Sequence, residues 1–427
     1  MLHIALRGWY AVGGWSAEET RHDEPTLGVP GGSERRNRFL RNATRVLIRA
    51  LTFCMFHEAF LDELAVLTLL LGTLQVRQRE VGLFAGFPLI ATLSRRKPIC
   101  DAEMARAITV ANNGAAADAQ LVRLGDKQIL WSADGQSFLM YARQGGKLIA
   151  LFDPVGPSGN WNELARAFRS LARRRNCIPV FYQVSEAFLS LSAMAGIRGY
   201  KLGELAEISL LAFTMNGGDW ANLRRAINRA TRDGLTYAFL SPEEVPAVLD
   251  ELRAISDAWL AHGGTREKRF SLGAFDPAYV ATSPVAVVRM DGHIVAFANV
   301  LTTEKGAAFV DLMRFLPGAH RGAMDFLIVK LIEDLKARGF QALNLGMAPL
   351  SGLSCGPGAT LWERVGAFVA RNGNRFYGFQ GLYTFKAKFE PDWRPRYLAV
   401  PSGTSPYLSA AATATLIAGG LSGIFRR

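Results

Sequence analysis

Asp311 and Arg314 lie three residues apart in FVDLMRFLP (Phe309–Pro317) and set a carboxylate near a guanidinium. Such a carboxylate can act as a general base or hold an amino group, and the guanidinium can hold a phosphate or an oxyanion. The stretch alternates like a buried strand. Alternation puts the two side chains on opposite faces unless a bulge re-aims one of them. A structural ion pair, or two rim charges, is the competing reading. Lys386 and Lys388 sit two apart in LYTFKAKF, where strand spacing places both on one face beside Phe385, Phe389 and Tyr377. That face suits phosphate binding, with a solvated edge strand as the alternative. Ser351 falls in the Pro/Ser/Gly turn that ends NLGMAPLSGL and offers a hydrogen-bond donor, but no triad is spaced around it. His320 and His262 are lone histidines, one in a loop and one at a helix end.

The elements around these residues follow from periodicity. VAVVRM–DG–HIVAFANVLTT (Val285–Thr303) reads as a hairpin on a tight Asp291-Gly292 turn. After the FVDLMRFLP strand, GAMDFLIVKLIEDLKARG (Gly322–Gly339) has helical spacing and a glycine stop, and Gln341–Pro349 is a second buried strand. Glu363 falls on a helix expected over Ala359–Arg371. The same order appears earlier: strands Lys127–Ser132, Ser137–Gln144 and Lys147–Gly156, helix Trp161–Arg175, strand Ile178–Val184, then a helix from Glu186 to about Ala195. The chain thus divides into a poorly specified region with one apolar helix (1–94), a first unit (95–218), a basic linker helix (219–235), a second unit (236–400) and an apolar tail (401–427). On the linker helix, Arg225, Arg229 and Arg232 share a face by i, i+3/i+4 spacing. They make either a solvated face or a surface for RNA phosphates or lipid headgroups. Arg173, Arg174 and Arg175 complement a helix dipole.

Composition supports a globular, basic protein of more than one domain. The chain has 427 residues, 49% hydrophobic and 20% charged, and a net charge of +12. That charge favours a polyanion, nucleic acid or anionic membrane. Cys54, Cys100, Cys177 and Cys355 are scattered without zinc or disulfide spacing, which points to a reduced, cytosolic compartment. No signal peptide is apparent after Met1. Within Val46–Leu74 and just beyond it, the longest uncharged run, Leu64–Val76, is 13 residues, short of the roughly 20 that span a bilayer. The uncharged tail Pro401–Phe425 is rich in Ala and Gly and either lies on a membrane or docks on the protein.

Hairpin, strand, crossover helix, parallel strand, helix resembles the acyl-transfer fold of the GCN5-related N-acetyltransferases, here in tandem: an α/β (α+β) chain. The turn Pro317–Ala323 departs from that family's coenzyme A loop, since its two glycines have other spacing and Pro317 lacks an N–H. Several motifs narrow the resemblance. LGDKQILWSADGQSFLMYARQGGKLIALFDPVGP (Leu124–Pro157), LRRAINRA (Leu223–Ala230), DLMR (Asp311–Arg314), NLGMAPLSGL (Asn344–Leu353) and FYGFQGLYTFKAKFEPDWRPRYLAV (Phe376–Val400) look like the bacterial aminoacyl-phosphatidylglycerol synthases, the multiple peptide resistance factor family.

That resemblance implies transfer of an aminoacyl group, lysyl by preference and alanyl next, from aminoacyl-tRNA to phosphatidylglycerol. The product is a cationic lipid that weakens attraction of cationic antimicrobial peptides. One ester replaces another, so neither metal nor cofactor is expected beyond the aminoacyl-tRNA co-substrate. Asp311 and Arg314 become the catalytic candidates. Lys386, Lys388, Ser351, Tyr377, Arg225 and Arg229 become substrate-binding candidates, and Glu363 a reader of the cationic amino acid. The expected place is the cytoplasmic face of the cell membrane, with translocation left to a separate flippase. A peptidoglycan-precursor acceptor is the rival enzyme reading. A non-catalytic unit that binds membrane or RNA is the rival of another class.

Overall fold

The computed structural model describes residues 99–264, 266–372 and 379–419. The apolar helix expected over Val46–Leu74, and Tyr377, lie outside them. The first unit runs α1 (Asp101–Asn112), a 3-10 helix (Ala117–Leu124), β1 (Gln128–Trp131), β2 (Phe138–Gln144), β3 (Lys147–Val155), α2 (Trp161–Arg174), β4 (Ile178–Val184), α3 (Glu186–Leu189) and β5 (Ile197–Ser209). The linker helix is α4 (Ala221–Arg232). The second unit follows with β6 (Thr236–Leu240), α5 (Leu249–Gly263), α6 (Pro277–Val280), β7 (Val285–Met290), β8 (His293–Thr302), β9 (Ala307–Phe315), α7 (Ala323–Ala337), β10 (Ala342–Pro349), α8 (Leu361–Asn372), α9 (Phe379–Ala387) and β11 (Asp392–Pro401). A last helix, α10, covers Pro406–Ile417.

These strands form one 11-stranded sheet in the order β1-β2-β3-β4-β11-β5-β10-β9-β8-β7-β6. Within each unit a crossover helix joins a parallel pair, β3 with β4 and β9 with β10. The last strands are exchanged. β11 lies antiparallel between β4 and β5, and β5 pairs with β10 of the other unit. The boundary drawn in sequence near residue 218 is therefore no cut through the sheet.

Alternation along the strands builds two layers of core. On β2, Phe138, Met140 and Ala142 face one cluster and Leu139 and Tyr141 the other. One face carries a single cluster running across both units, with α1, the 3-10 helix, α5, α6 and α10 over it. The opposite face is divided, with α2 and α3 over the first unit and α4 and α7 over the second. α7 buries Phe326, Leu327, Ile328, Val329, Leu331, Ile332 and Leu335. At about 1.5–3 kcal/mol for each large apolar side chain, this helix anchors the second unit.

One sequence reading is corrected here, and one open alternative is decided. LYTFKAKF is not a strand: residues 379–387 are helix α9, and Leu382, Phe385, Lys386 and Phe389 form its inward face at i, i+3, i+4 and i+7. In the described part of the tail, docking on the protein is the reading that holds: after the exchanged strand ends at Pro401, helix α10 follows its Ser405 cap and buries Ala410, Ala414 and Leu416. α10 docks on β2, β3 and β11, and Arg269 N donates to Ile417 O at 2.8 Å. Among the described residues no helix is long and apolar enough to cross a membrane.

Candidate active site

β9 and β10 pair only from Ala307↔Ala342 to Phe309↔Asn344, and beyond that point they diverge. The open fork has Asp311 to Arg314 on one arm and Gly346 to Pro349 on the other. A bulge shapes the first arm. Between Val300↔Val310 and Ala298↔Met313, two residues, Asp311 and Leu312, oppose Asn299 alone. Asn299 is fully buried, and its Oδ1 accepts Leu312 N at 2.6 Å in place of a ladder bond. The extra residue brings Asp311 to the same side of the sheet as Arg314, while Met313 packs on the opposite cluster.

Asp311 accepts hydrogen bonds from Tyr279 Oη at 2.8 Å and Gly273 N at 2.7 Å. Burial pushes its carboxyl above the ordinary range, opposed by those two donors, by the charge of Lys127 and by Asn299. A Cβ at residue 273 would lie 1.7 Å from Asp311 Oδ2, so only glycine brings its amide this close. Arg314 donates to Glu267 Oε2 at 2.9 Å and Ser256 Oγ at 3.3 Å, and lies 4.5 Å over the Trp259 ring. The ion-pair reading of Arg314 thus holds, with Glu267 and not Asp311 as partner.

Lys386 enters the fork from α9. It is 3% exposed, and its Nζ donates to Gly346 O and Met347 O at 3.0 Å each. Burial pushes its ammonium down to about 7. A neutral amine has two N–H groups for those two carbonyls and keeps a lone pair that can take a proton. A phosphate-binding role at the surface is excluded by this burial. Lys388 points elsewhere, because residues two apart on a helix diverge. It pairs with Asp325 at 2.9 Å in the first turn of α7.

The remaining candidates are dispersed. Ser351 Oγ donates to Ala348 O and accepts from Glu204 N, tying β10 to β5. Glu363 closes a capping box on α8, accepting from Thr360 N at 2.8 Å while Thr360 Oγ1 accepts from Glu363 N at 3.2 Å. Arg225 and Arg229 lie on the exposed face of α4, where Arg225 bonds Asn222 and Arg229 pairs with Asp233. His320 is a clip: its Nε2 meets Asp233 Oδ2 at 2.9 Å and its Nδ1 accepts Gly322 N. Among the described residues no group of three or more His, Cys, Asp or Glu is placed to hold a metal ion.

Sequence reasoning missed the polar groups that the first unit lends to this fork. Asp118, on the 3-10 helix, meets Asn344 Nδ2 at 3.5 Å, and burial pushes its carboxyl up. Lys127 donates to Leu121 O and Asp126 Oδ1, and Asp126 Oδ2 accepts Phe270 N at 2.7 Å. The adjacent charges of Gly125-Asp126-Lys127, just before an apolar strand, were the available signal.

Comparison with known proteins fixes the family. The description "Phosphatidylglycerol lysyltransferase, C-terminal" matches residues 106–400, more than half of the chain. The chain belongs to this family. A phosphatidylglycerol lysyltransferase of Bacillus subtilis is 37% identical over 278 residues, covering 65% of this chain and 32% of that protein. One from Staphylococcus epidermidis is 34% identical over 280 residues, 65% of this chain and 33% of that one. The chain therefore spans about a third of the length of these curated relatives. Among solved structures, a C-terminal domain of an Agrobacterium fabrum protein of the lysylphosphatidylglycerol synthetase type superposes with TM-score 0.68 at 46% identity, over 74% of this chain and 97% of that chain. L-PGS from Bacillus licheniformis gives 0.65 at 34%, over 75% and 98%. The matched span holds every residue of the fork, so its architecture is that of the lysyltransferase family.

Proposed function

We propose that this chain transfers an aminoacyl group, lysyl by preference, from aminoacyl-tRNA to a glycerol hydroxyl of phosphatidylglycerol at the cytoplasmic face of the membrane. The observation that carries this reading is the fork itself: a buried lysine held near neutrality that reaches the β10 arm from α9, and a half-buried carboxylate on the β9 arm, within the lysyltransferase span. The lipid hydroxyl attacks the ester carbonyl of the aminoacyl group while Lys386 Nζ takes the hydroxyl proton. The tetrahedral oxyanion collapses, the C–O bond to the tRNA ribose breaks, and the proton passes to the departing ribose oxygen. One ester is exchanged for another, so the step needs no redox cofactor and no input of energy. Asp311 holds the α-ammonium of the aminoacyl group. Arg314, fixed by Glu267 and Trp259, keeps the bulged arm in place. A cationic lipid product lowers the attraction of cationic peptides to the surface, and its translocation falls to a separate flippase.

The test incubates the protein with phosphatidylglycerol micelles and tRNA charged separately with labelled lysine or alanine, and counts the lipid fraction. Label from lysyl-tRNA, lost in Asp311→Ala, is the expected result. Label only from alanine corrects the donor. No label from either, with folded protein, overturns the synthase reading.

A further inference from the structure

A buried ammonium is costly unless it is paired, and Lys127 is 3% exposed. Its partner Asp126 lies at 2.6 Å, and the other oxygen of Asp126 holds Phe270 N. Phe270 sits in the left-handed region at φ +70° and is itself buried, a conformation that persists where surrounding contacts enforce it. Three residues further on, Gly273 N holds Asp311. The strap from Glu267 to Asp276 is thus stretched between the first unit at Asp126 and the bulged strand at Arg314 and Asp311. We propose that the Asp126–Lys127 pair of the first unit is the positioning element for the Asp311 site of the second: Asp126 pins the strap whose Gly273 amide holds the carboxylate, and the buried ammonium of Lys127 fixes Asp126 in turn.

This inference rests on the proposed function only for its catalytic consequence. The groups acting on Asp311 are Tyr279 from α6, the Gly273 amide of the strap, Lys127 from the first unit and Asn299 from β8, with Asp126 and Arg123 acting on Tyr279. On its own strand stands Arg314, with Glu267 and Lys268 beyond it. Lys127 is the cation whose charge lowers the Asp311 carboxyl, so its removal moves Asp311 ionisation to higher pH.

The experiment titrates the Asp311 carboxyl by infrared difference spectroscopy on the full chain, with Asp311→Asn assigning the band. Alongside it, the pH profile of lysyl transfer to phosphatidylglycerol is measured. Lys127→Met is expected to raise the midpoint, since the lost cation is one of the groups that lower the Asp311 carboxyl. The acid limb of activity moves with it, so that transfer below the midpoint falls while transfer at high pH is kept. Lys127→Arg restores both. If Lys127→Met does not fold, Lys127→Gln, which keeps donors for Leu121 O and Asp126, is read the same way. An unmoved midpoint in a folded neutral variant overturns the proposal. A moved midpoint in a protein that transfers nothing at any pH supports the positioning pair and sinks the transferase reading instead.

Discussion

The two units place a carboxylate at matching points, in the fork where the two strands joined by the crossover helix part, yet they surround it differently. In the first unit, Asp153 accepts Ser185 N at 2.9 Å and faces Arg396 at 3.7 Å, a residue of the exchanged strand β11. The partner filling that fork therefore belongs to the other unit. In the second, Asp311 meets Tyr279 and the strap, and the fork is entered by Lys386 from its own helix. Burial pushes both carboxyls up. The difference shows how one fold can be used twice: a fork closed by an arginine becomes a joint, and a fork holding a near-neutral amine can do proton chemistry.

Substituting each carboxylate in turn breaks the comparison most sharply. Asp311→Asn should lower lysyl transfer about 100-fold or more, while Asp153→Asn should leave it within about tenfold. Equal losses in the radiolabel assay would mean that both forks belong to one catalytic centre.

Lys386→Met comes next, with a loss of about 100-fold in transfer. It also carries a stability signature whose sign is fixed. The folded lysine is lowered to about 7 from the ordinary 10.5 of a free lysine, so between those limits the unfolded chain binds more protons. Wild-type stability should therefore rise with pH from about 7 upward, as the cost of burying the ammonium is relieved. Lys386→Met lacks this slope. Thermal melts from pH 6 to pH 9 should show the variant gaining on wild type at the acid end, and parallel curves would refute the buried-ammonium account.

The ion pairs of the two forks sharpen the contrast. Arg314→Met leaves Glu267 without its partner beside a stacked Trp259 and should cost about 2 kcal/mol, since Glu267 keeps some access to water. Arg396→Met, whose pair is longer at 3.7 Å, should cost less in the same denaturant titration.

How much of this was legible beforehand depends on whether the cause was local. Hairpin turns such as Asp291-Gly292, and the periodicity of Phe326, Leu331 and Leu335, are local, and the elements they predict are present. The strand exchange was not legible. β5 (IRGYKLGELAEIS) and the start of β11 (DWRPR) mix charges with apolar residues and lack clean alternation, and they pair with each other across about 200 residues of sequence. The bulge at Asp311 is likewise a property of register against Asn299, which single-strand alternation cannot contain. LYTFKAKF misled because two lysines at i, i+2 drew more attention than Leu382, Phe385 and Phe389 at helical spacing. The role of Asp126 is not local either: the amide it holds, Phe270 N, lies 144 residues away in the other unit.

The smallest effect separates positioning from recognition on α8. As a reader of the lysyl side chain, Glu363 would change donor preference on replacement. Its carboxylate instead accepts from both the amide and the hydroxyl of Thr360, and these bonds hold it below the usual carboxylate range. Such a capping pair typically contributes about 1 kcal/mol. Glu363→Ala should therefore lower the melting temperature by a few degrees at most, about 2–4 °C for a domain of this size. The ratio of lysine to alanine transfer should stay unchanged, as it should in Thr360→Val. A changed ratio in Glu363→Ala alone would return that residue to the substrate and leave the cap as a by-product of its position.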